Sequence, residues 1–269
     1  MILNLIAEFF LFFSEGKLLF SLICFGLIFK EEDFNYPAYL LLLTMILSSL
    51  LKYYFAIPYP EHLIKKLGKT GYVFPSGHMQ SCVVFYGWFL SSNKLDKQNF
   101  YRIAILLLIA GIGFSLIYNG YHSFLDVIGA VFFGVLTILI FKQIIKKSFP
   151  NFSRIEIKLI FCLIVSILSS VFLVILKLFY QVLPHLFMAY YAIIGLSIGS
   201  YLIENKFIKN LKYKKILFFI SIMIIFISLF IFQTKTFLPW IKDLKWIIIA
   251  ITIRFISMAI NKNKKNIGL

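Results

Sequence analysis

Charge is scarce in this 269-residue chain, and acidic charge most of all. Only 14% of its residues are charged, with 11 Asp and Glu against 27 Lys and Arg. A soluble domain carries about 25% charged and 45–50% apolar residues. The 61% apolar content and mean hydropathy of +0.92 therefore exclude an ordinary water-soluble globule. Arginine occurs only as Arg102, Arg154 and Arg254. Cys24, Cys82 and Cys162 have no paired spacing, so they read as buried free thiols rather than a disulfide framework or a metal site. No aspartate- or histidine-rich cluster is evident, and no cofactor or metal is expected. The first thirteen residues lack a basic flank and a small-residue cleavage site and include Glu8, so they do not read as a removable signal peptide. They either lie along a membrane surface or extend the first span.

Aromatic residues and long apolar runs are abundant. The 32 Phe, 15 Tyr and 3 Trp exclude a solvated, disordered chain. Nine apolar segments recur, at roughly 18–29, 38–57, 78–91, 103–117, 124–140, 159–179, 186–203, 216–232 and 246–260. Only helices and closed barrels satisfy the backbone in lipid. These runs lack the period-2 alternation of barrel strands, so the expected fold is all-α, a polytopic transmembrane helical bundle. Small residues at Gly129–Ala130 and at Gly195 and Gly199 mark places where helices can approach closely. No repeat or linker divides the chain. Residues 18–141 are expected to form a core, with 142–269 adding further transmembrane helices of unread role.

A surplus of basic residues raises the question of nucleic acid. Here the cations are scattered between apolar runs, so basic loops flanking membrane helices are the simpler account, and no nucleic acid is expected. Alternate connections carry 18 and 8 Lys or Arg, with Arg254 counted in the richer set. The richer set is expected on the cytoplasmic side of a bacterial inner membrane, together with the C-terminus. That places Lys52 to Pro75 and Ser115 to Asp126 on the opposite face.

Three groups on that face carry chemistry. Pro75-Ser76-Gly77-His78 opens an apolar run: Ser76 can cap a helix, Gly77 lets a ligand approach the backbone, and free N–H groups there suit an anion. His78 can donate a proton from the first turn. His122 and Asp126, four residues apart, are expected on one helix face, where the carboxylate orients the imidazole and leaves its other nitrogen nucleophilic. Lys52, followed by Tyr59-Pro60, adds a cation, and Lys65, Lys66 and Lys69 follow it. Each group also has a plain structural reading: a helix start, a helix-end pair, a lysine reaching the interface. His62 and His185 read as incidental.

Taken together, the three groups resemble the type 2 phosphatidic acid phosphatase superfamily, which includes lipid phosphatases and vanadium haloperoxidases. Its first motif is Lys, six residues, Arg-Pro, where this chain has Lys52 and Tyr59-Pro60. Its second is Pro-Ser-Gly-His, present in full at 75–78. Its third is Ser-Arg, five residues, His, three residues, Asp, where this chain has Ser115-Leu116, His122 and Asp126. The surrounding Gly71 to Gln80 string looks like the bacterial membrane branch.

The resemblance implies that His122 attacks phosphorus to form a phosphohistidine, that Asp126 supports it, and that His78 protonates the leaving alcohol. It implies that Lys52, Ser76 and the Gly77 N–H bind the phosphoryl group, with Tyr59 and Ser115 at substrate-binding positions. The expected partner is a phosphorylated membrane lipid, with no metal and no cofactor. Both motif arginines are replaced, by Tyr59 and Leu116. One preorganised donor is worth about 10²–10³ in rate, so either Lys65, Lys66 or Lys69 compensates, or the substrate differs, or the chain is a silent, lipid-binding or regulatory relative. A transporter of a phosphorylated solute is a third reading, less supported because paired broken helices are lacking.

Overall fold

A computed structural model describes residues 2–61, 64, 71–91, 99–147, 154–179, 184–204 and 243–267. Among these the chain is α-helical, with no strand beyond an isolated antiparallel bridge between Pro58 and Tyr72. The helices are α1 (Ile2–Phe12), α2 (Gly16–Phe29), α3 (Glu31–Phe55), α4 (Gly77–Leu90) and α5 (Asn99–Tyr118). They continue with α6 (Phe124–Lys147), α7 (Arg154–Phe179), α8 (Pro184–Glu204) and α9 (Lys245–Ile267). Eight of the nine apolar segments fall within them, and 216–232 lies outside the described residues. α3, α5, Phe124–Gln143 and His185–Leu202 are long and apolar enough to cross a membrane. α1 and α2 together make a fifth candidate, bent by 44°.

Three boundaries lie seven residues beyond the apolar runs, one of them the C-terminal end of α6 at Lys147. α3 begins at Glu31, a full two turns before the run at 38, and passes through Pro37. Glu31, Glu32 and Asp33 fill its first turn, where negative charge complements the helix dipole. α9 continues to Ile267, through the basic stretch that ended its apolar run. Arg254 therefore lies within a helix, 1% exposed, and not in a cytoplasmic loop as its place in the charge count required.

The chain divides into two compact units. The first comprises Met1–Leu22 and Leu47–Ile144, the second Ile23–Ile46 and Ile145–Leu269. α2 and α3 contribute to both. In the first unit α1 packs on α5, with the Phe10 ring over Gly111 and the Tyr118 hydroxyl donating to Asn4 Oδ1 at 2.7 Å. Ser76, Val83 and Gly87 meet Asp126, Gly134 and Ile138 respectively. These partners rise together along both segments, so α4 and α6 run parallel, with both N-termini at one end. α4 spans only about 21 Å at 1.5 Å per residue, less than a bilayer core of about 30 Å. At its C-terminal end Lys142 of α6 donates to the Ser91 carbonyl and lies 5.5 Å from the Trp88 ring. Large apolar side chains of α5 and α6, among them Leu107, Phe132 and Leu139, point outward as lipid-facing residues do.

In the second unit the glycines of α8 admit α9: a Cβ at Gly195 would strike the Ile247 backbone, and one at Gly199 the Arg254 side chain. Arg254 Nη1 meets Glu31 Oε1 at 3.0 Å, and Nη2 donates to Ser200 Oγ at 2.6 Å. Ser257 donates to Glu31 Oε2 at 3.2 Å. Tyr39 OH lies 3.4 Å from Ser200 Oγ and 3.3 Å from Ser197 Oγ, which in turn is 2.9 Å from Ser166 Oγ. Cys82 and Cys162 are buried free thiols, whereas Cys24 is only half-buried.

Candidate active site

Three turns of the first unit carry the motif residues. α3 ends where Ala56 takes a left-handed φ of 50° and donates its N–H to the Lys52 carbonyl at 2.9 Å. The chain then folds back on itself: Val73 N–H donates to Ile57 O at 2.9 Å and Tyr59 N–H to Gly71 O at 3.3 Å. Lys52 Nζ donates to Tyr72 O at 3.1 Å and stands 5.7 Å from the Tyr59 ring centre. Both side chains are half-buried. Burial holds the Tyr59 phenol above its ordinary pKa, and the Asp126 charge raises it further. Lys52, Tyr59 and Asp126 thus share one electrostatic neighbourhood.

The second turn joins the third through the backbone. Ser76 caps α4, with its Oγ accepting from Met79 N–H at 3.4 Å, as expected for a serine before an apolar helix. Its own N–H donates to the Asp126 carbonyl at 3.1 Å. Ser76 is fully buried, Gly77 half-buried and His78 exposed in the first turn of the helix. A Cβ on Gly77 would come within 3.0 Å of Ser48 Oγ, so glycine here reflects tight packing as well as access to the backbone. Phe74 lies across Gly129 of α6, in the space a Cβ would need.

The third turn is set by two helix caps in succession. α5 ends in a Schellman arrangement: Gly120 at φ 68°, Gly120 N–H to Ile117 O at 2.9 Å and Tyr121 N–H to Leu116 O at 3.0 Å. His122 N–H also donates to Leu116 O, at 3.3 Å. α6 then starts with a capping box, in which Ser123 N–H donates to Asp126 Oδ2 at 2.8 Å and Asp126 N–H to Ser123 Oγ at 3.2 Å. His122 Nδ1 stands 3.6 Å from Asp126 Oδ2, both side chains being almost fully buried. The pairing expected from a shared helix face thus has another cause: His122 precedes the helix, and the cap brings the two together. With Nδ1 toward the carboxylate, Nε2 is the nitrogen left to act on a substrate.

Ser115 and Leu116 are placed differently from the other motif residues. Ser115 is fully buried and donates its hydroxyl to Gly111 O within α5 at 2.7 Å. The Leu116 side chain is buried in the helix packing, and its carbonyl holds the turn that carries His122. Lys65, Lys66, Lys69 and His62 lie outside the described residues. Ser123 went unread in the sequence, although Ser-x-x-Asp ahead of an apolar run is a capping signature. Among the described residues no group of three or more His, Cys, Asp or Glu gathers as a metal site would.

The N-termini of α4 and α6 therefore lie side by side, Ser76 and His78 at one and His122 and Asp126 at the other, joined by the Ser76–Asp126 backbone bond. The positive dipole ends of two neighbouring helix starts favour an anion there. Comparison with protein families matches residues 34–150 to the family described as the PAP2 superfamily. No curated protein and no solved structure matches the chain.

Proposed function

Because residues 34–150 belong to the PAP2 superfamily, which generally comprises phosphatases, we propose that this chain is a membrane phosphatase releasing phosphate from a phosphorylated lipid. The observation that carries the reading is the buried His122–Asp126 pair, tied through the Asp126 carbonyl to the Ser76 turn. An apolar helical bundle with its polar turns at helix ends suits a substrate whose head reaches those turns while its tails stay in lipid.

In this reading His122 Nε2 attacks phosphorus, the N–P bond forms, and the P–O bond to the lipid alcohol breaks. His78 supplies the proton that the departing oxygen takes up. Asp126 stabilises the positive imidazole during attack. Water then attacks the phosphohistidine, giving a proton to His78, and inorganic phosphate leaves with His122 restored. Lys52, Tyr59, Ser76 and the Gly77 N–H stand around the phosphoryl oxygens, where fixed donors stabilise developing charge. The substrate class includes phosphate monoesters and pyrophosphates of lipids. Residues 18–141 form the catalytic core, and the helices beyond it have a separate role.

Without Arg254 the richer set of connections still carries 17 Lys and Arg against 8, which favours a site on the non-cytoplasmic face of an inner membrane. Cysteine labelling of Gly68→Cys and Asn263→Cys tests the sidedness. Labelling at 68 from the cytoplasmic side alone reverses it. Phosphate release by purified protein from phosphatidic acid, phosphatidylglycerophosphate and polyprenyl pyrophosphate tests the activity. Release that His122→Ala abolishes supports the assignment. Silence of folded protein across the panel overturns it in favour of a lipid-binding relative.

A further inference from the structure

Gln80 has no role in the scheme above, yet it is the polar side chain least explained by packing in the first unit. It lies in α4 one turn after Ser76 and is 0% exposed. Among the described residues neither Nε2 nor Oε1 finds a hydrogen-bond partner. Its backbone N–H is satisfied by Ser76 O at 3.0 Å, so only the carboxamide is left over. Met79, Cys82, Val83 and Val84 beside it are buried and cannot supply a strong partner. Across the helix pair, the Ser76–Asp126 and Val83–Gly134 levels place Gln80 opposite fully buried Ala130.

Leaving a buried amide unpaired costs stability, and an apolar residue of similar shape would avoid that cost. Local rules of this kind are broken mainly where function requires it. The direction of the side chain indicates which function. Helical side chains lean toward the helix N-terminus and cover the turn before their own Cα. Four residues rise about 6 Å, and an extended glutamine reaches about 5 Å from its Cα, so its carboxamide lies beneath the Ser76–Gly77 level, over the turn that those residues open. A primary amide there offers two N–H donors without a buried charge.

We propose that Gln80 is a further phosphoryl-binding residue, its amide N–H donating to a substrate phosphoryl oxygen from beneath the Ser76–Gly77 turn. The proposal rests on the phosphatase reading and adds a neutral donor to a site where Tyr59 and Leu116 stand at the motif's arginine positions. In the resting chain the amide is covered, and it engages when an oxyanion settles on the turn.

The test uses the full-length protein in detergent or lipid discs. Gln80→Leu and Gln80→Met keep the volume and remove the donors. Inorganic phosphate binding is measured alongside turnover and thermal midpoint. Both variants should keep or raise the midpoint, bind phosphate at least ~10-fold more weakly, and hydrolyse lipid phosphate about 10²-fold more slowly. Gln80→Glu, which adds a like charge, should bind phosphate no better than Gln80→Leu. Phosphate affinity and turnover within twofold of the parent in either folded variant overturn the proposal. A lowered midpoint with unchanged phosphate affinity per folded molecule overturns it too, by making Gln80 structural. The phosphatase reading is judged separately by His122→Ala, so the two fail independently.

Discussion

In the first unit the histidines and the aspartate of the motifs sit at helix starts, whereas in the second a helix-start carboxylate, Glu31, is paired with a mid-helix cation, Arg254. His78, His122 and Asp126 all lie within a turn of an N-terminus, and a capping box holds Asp126 beside His122. Glu31 and Arg254 instead bridge α3 and α9 and continue into a chain of serine and tyrosine hydroxyls. A helix end offers backbone donors to a visiting anion. An interhelical pair has its charge balanced already, so it holds helices in register and offers a ligand little. Under the proposed function, the first is a site that receives a phosphoryl group and the second a polar cluster that stays closed.

The sharpest way to break the comparison is His122→Ala. Loss of the nucleophile should lower phosphate release by at least ~10⁴-fold with the helical circular dichroism unchanged. Activity that survives removes the first unit's claim to be the reacting one. Next, Arg254→Ala leaves the half-buried Glu31 carboxylate without its buried cation and should cost up to about 3 kcal/mol of stability, read as a lower thermal midpoint. The double variant Glu31→Leu/Arg254→Met should recover most of that loss, and its turnover per folded molecule should match the parent. A turnover that falls with Arg254 would show that the second unit takes part in catalysis.

Ser123→Ala sharpens the comparison from the other side. Removing the cap should cost about 1 kcal/mol, and it also frees Asp126 from one of its two reciprocal bonds. Turnover should therefore fall several-fold more than stability, measured as activity against midpoint in the same samples. The smallest effect belongs to Tyr59. Its raised pKa keeps the phenol protonated in the folded state, so burial there contributes no stability loss below the ordinary value of 10.0. Stability should decline only as pH climbs above that value, because the unfolded chain ionises first. Tyr59→Phe should flatten that alkaline decline and leave the profile at neutral pH unchanged.

Most of the fold was legible because apolar runs in lipid have one economical outcome, and eight of nine runs became helices among the described residues. The errors share a cause. Hydropathy alone begins α3 at 38 and ends α9 at 260, and the charge count treats Arg254 as a connection residue although it falls inside the 246–260 run. Helix dipoles favour acidic residues at one end and basic residues at the other, so polar ends extend a helix beyond its apolar stretch. At the site, spacing brought His122 and Asp126 together for a different reason from the expected one, because a capping box works across a helix start. Gln80 was invisible to motif reading, since an unpaired amide is recognised only once its neighbours are known.

The bond from Ser76 N–H to the Asp126 carbonyl joins positions fifty residues apart in the chain. At about 5–20 residues per second of synthesis, the acceptor follows the donor out of the ribosome by roughly 2.5–10 seconds. During that interval α4 and α5 have been made, but the N–H of the cap has no carbonyl to meet. An amide in that state stays in water, since lipid would charge it several kcal/mol. The head of α4 therefore gains this partner only once the start of α6 has been made.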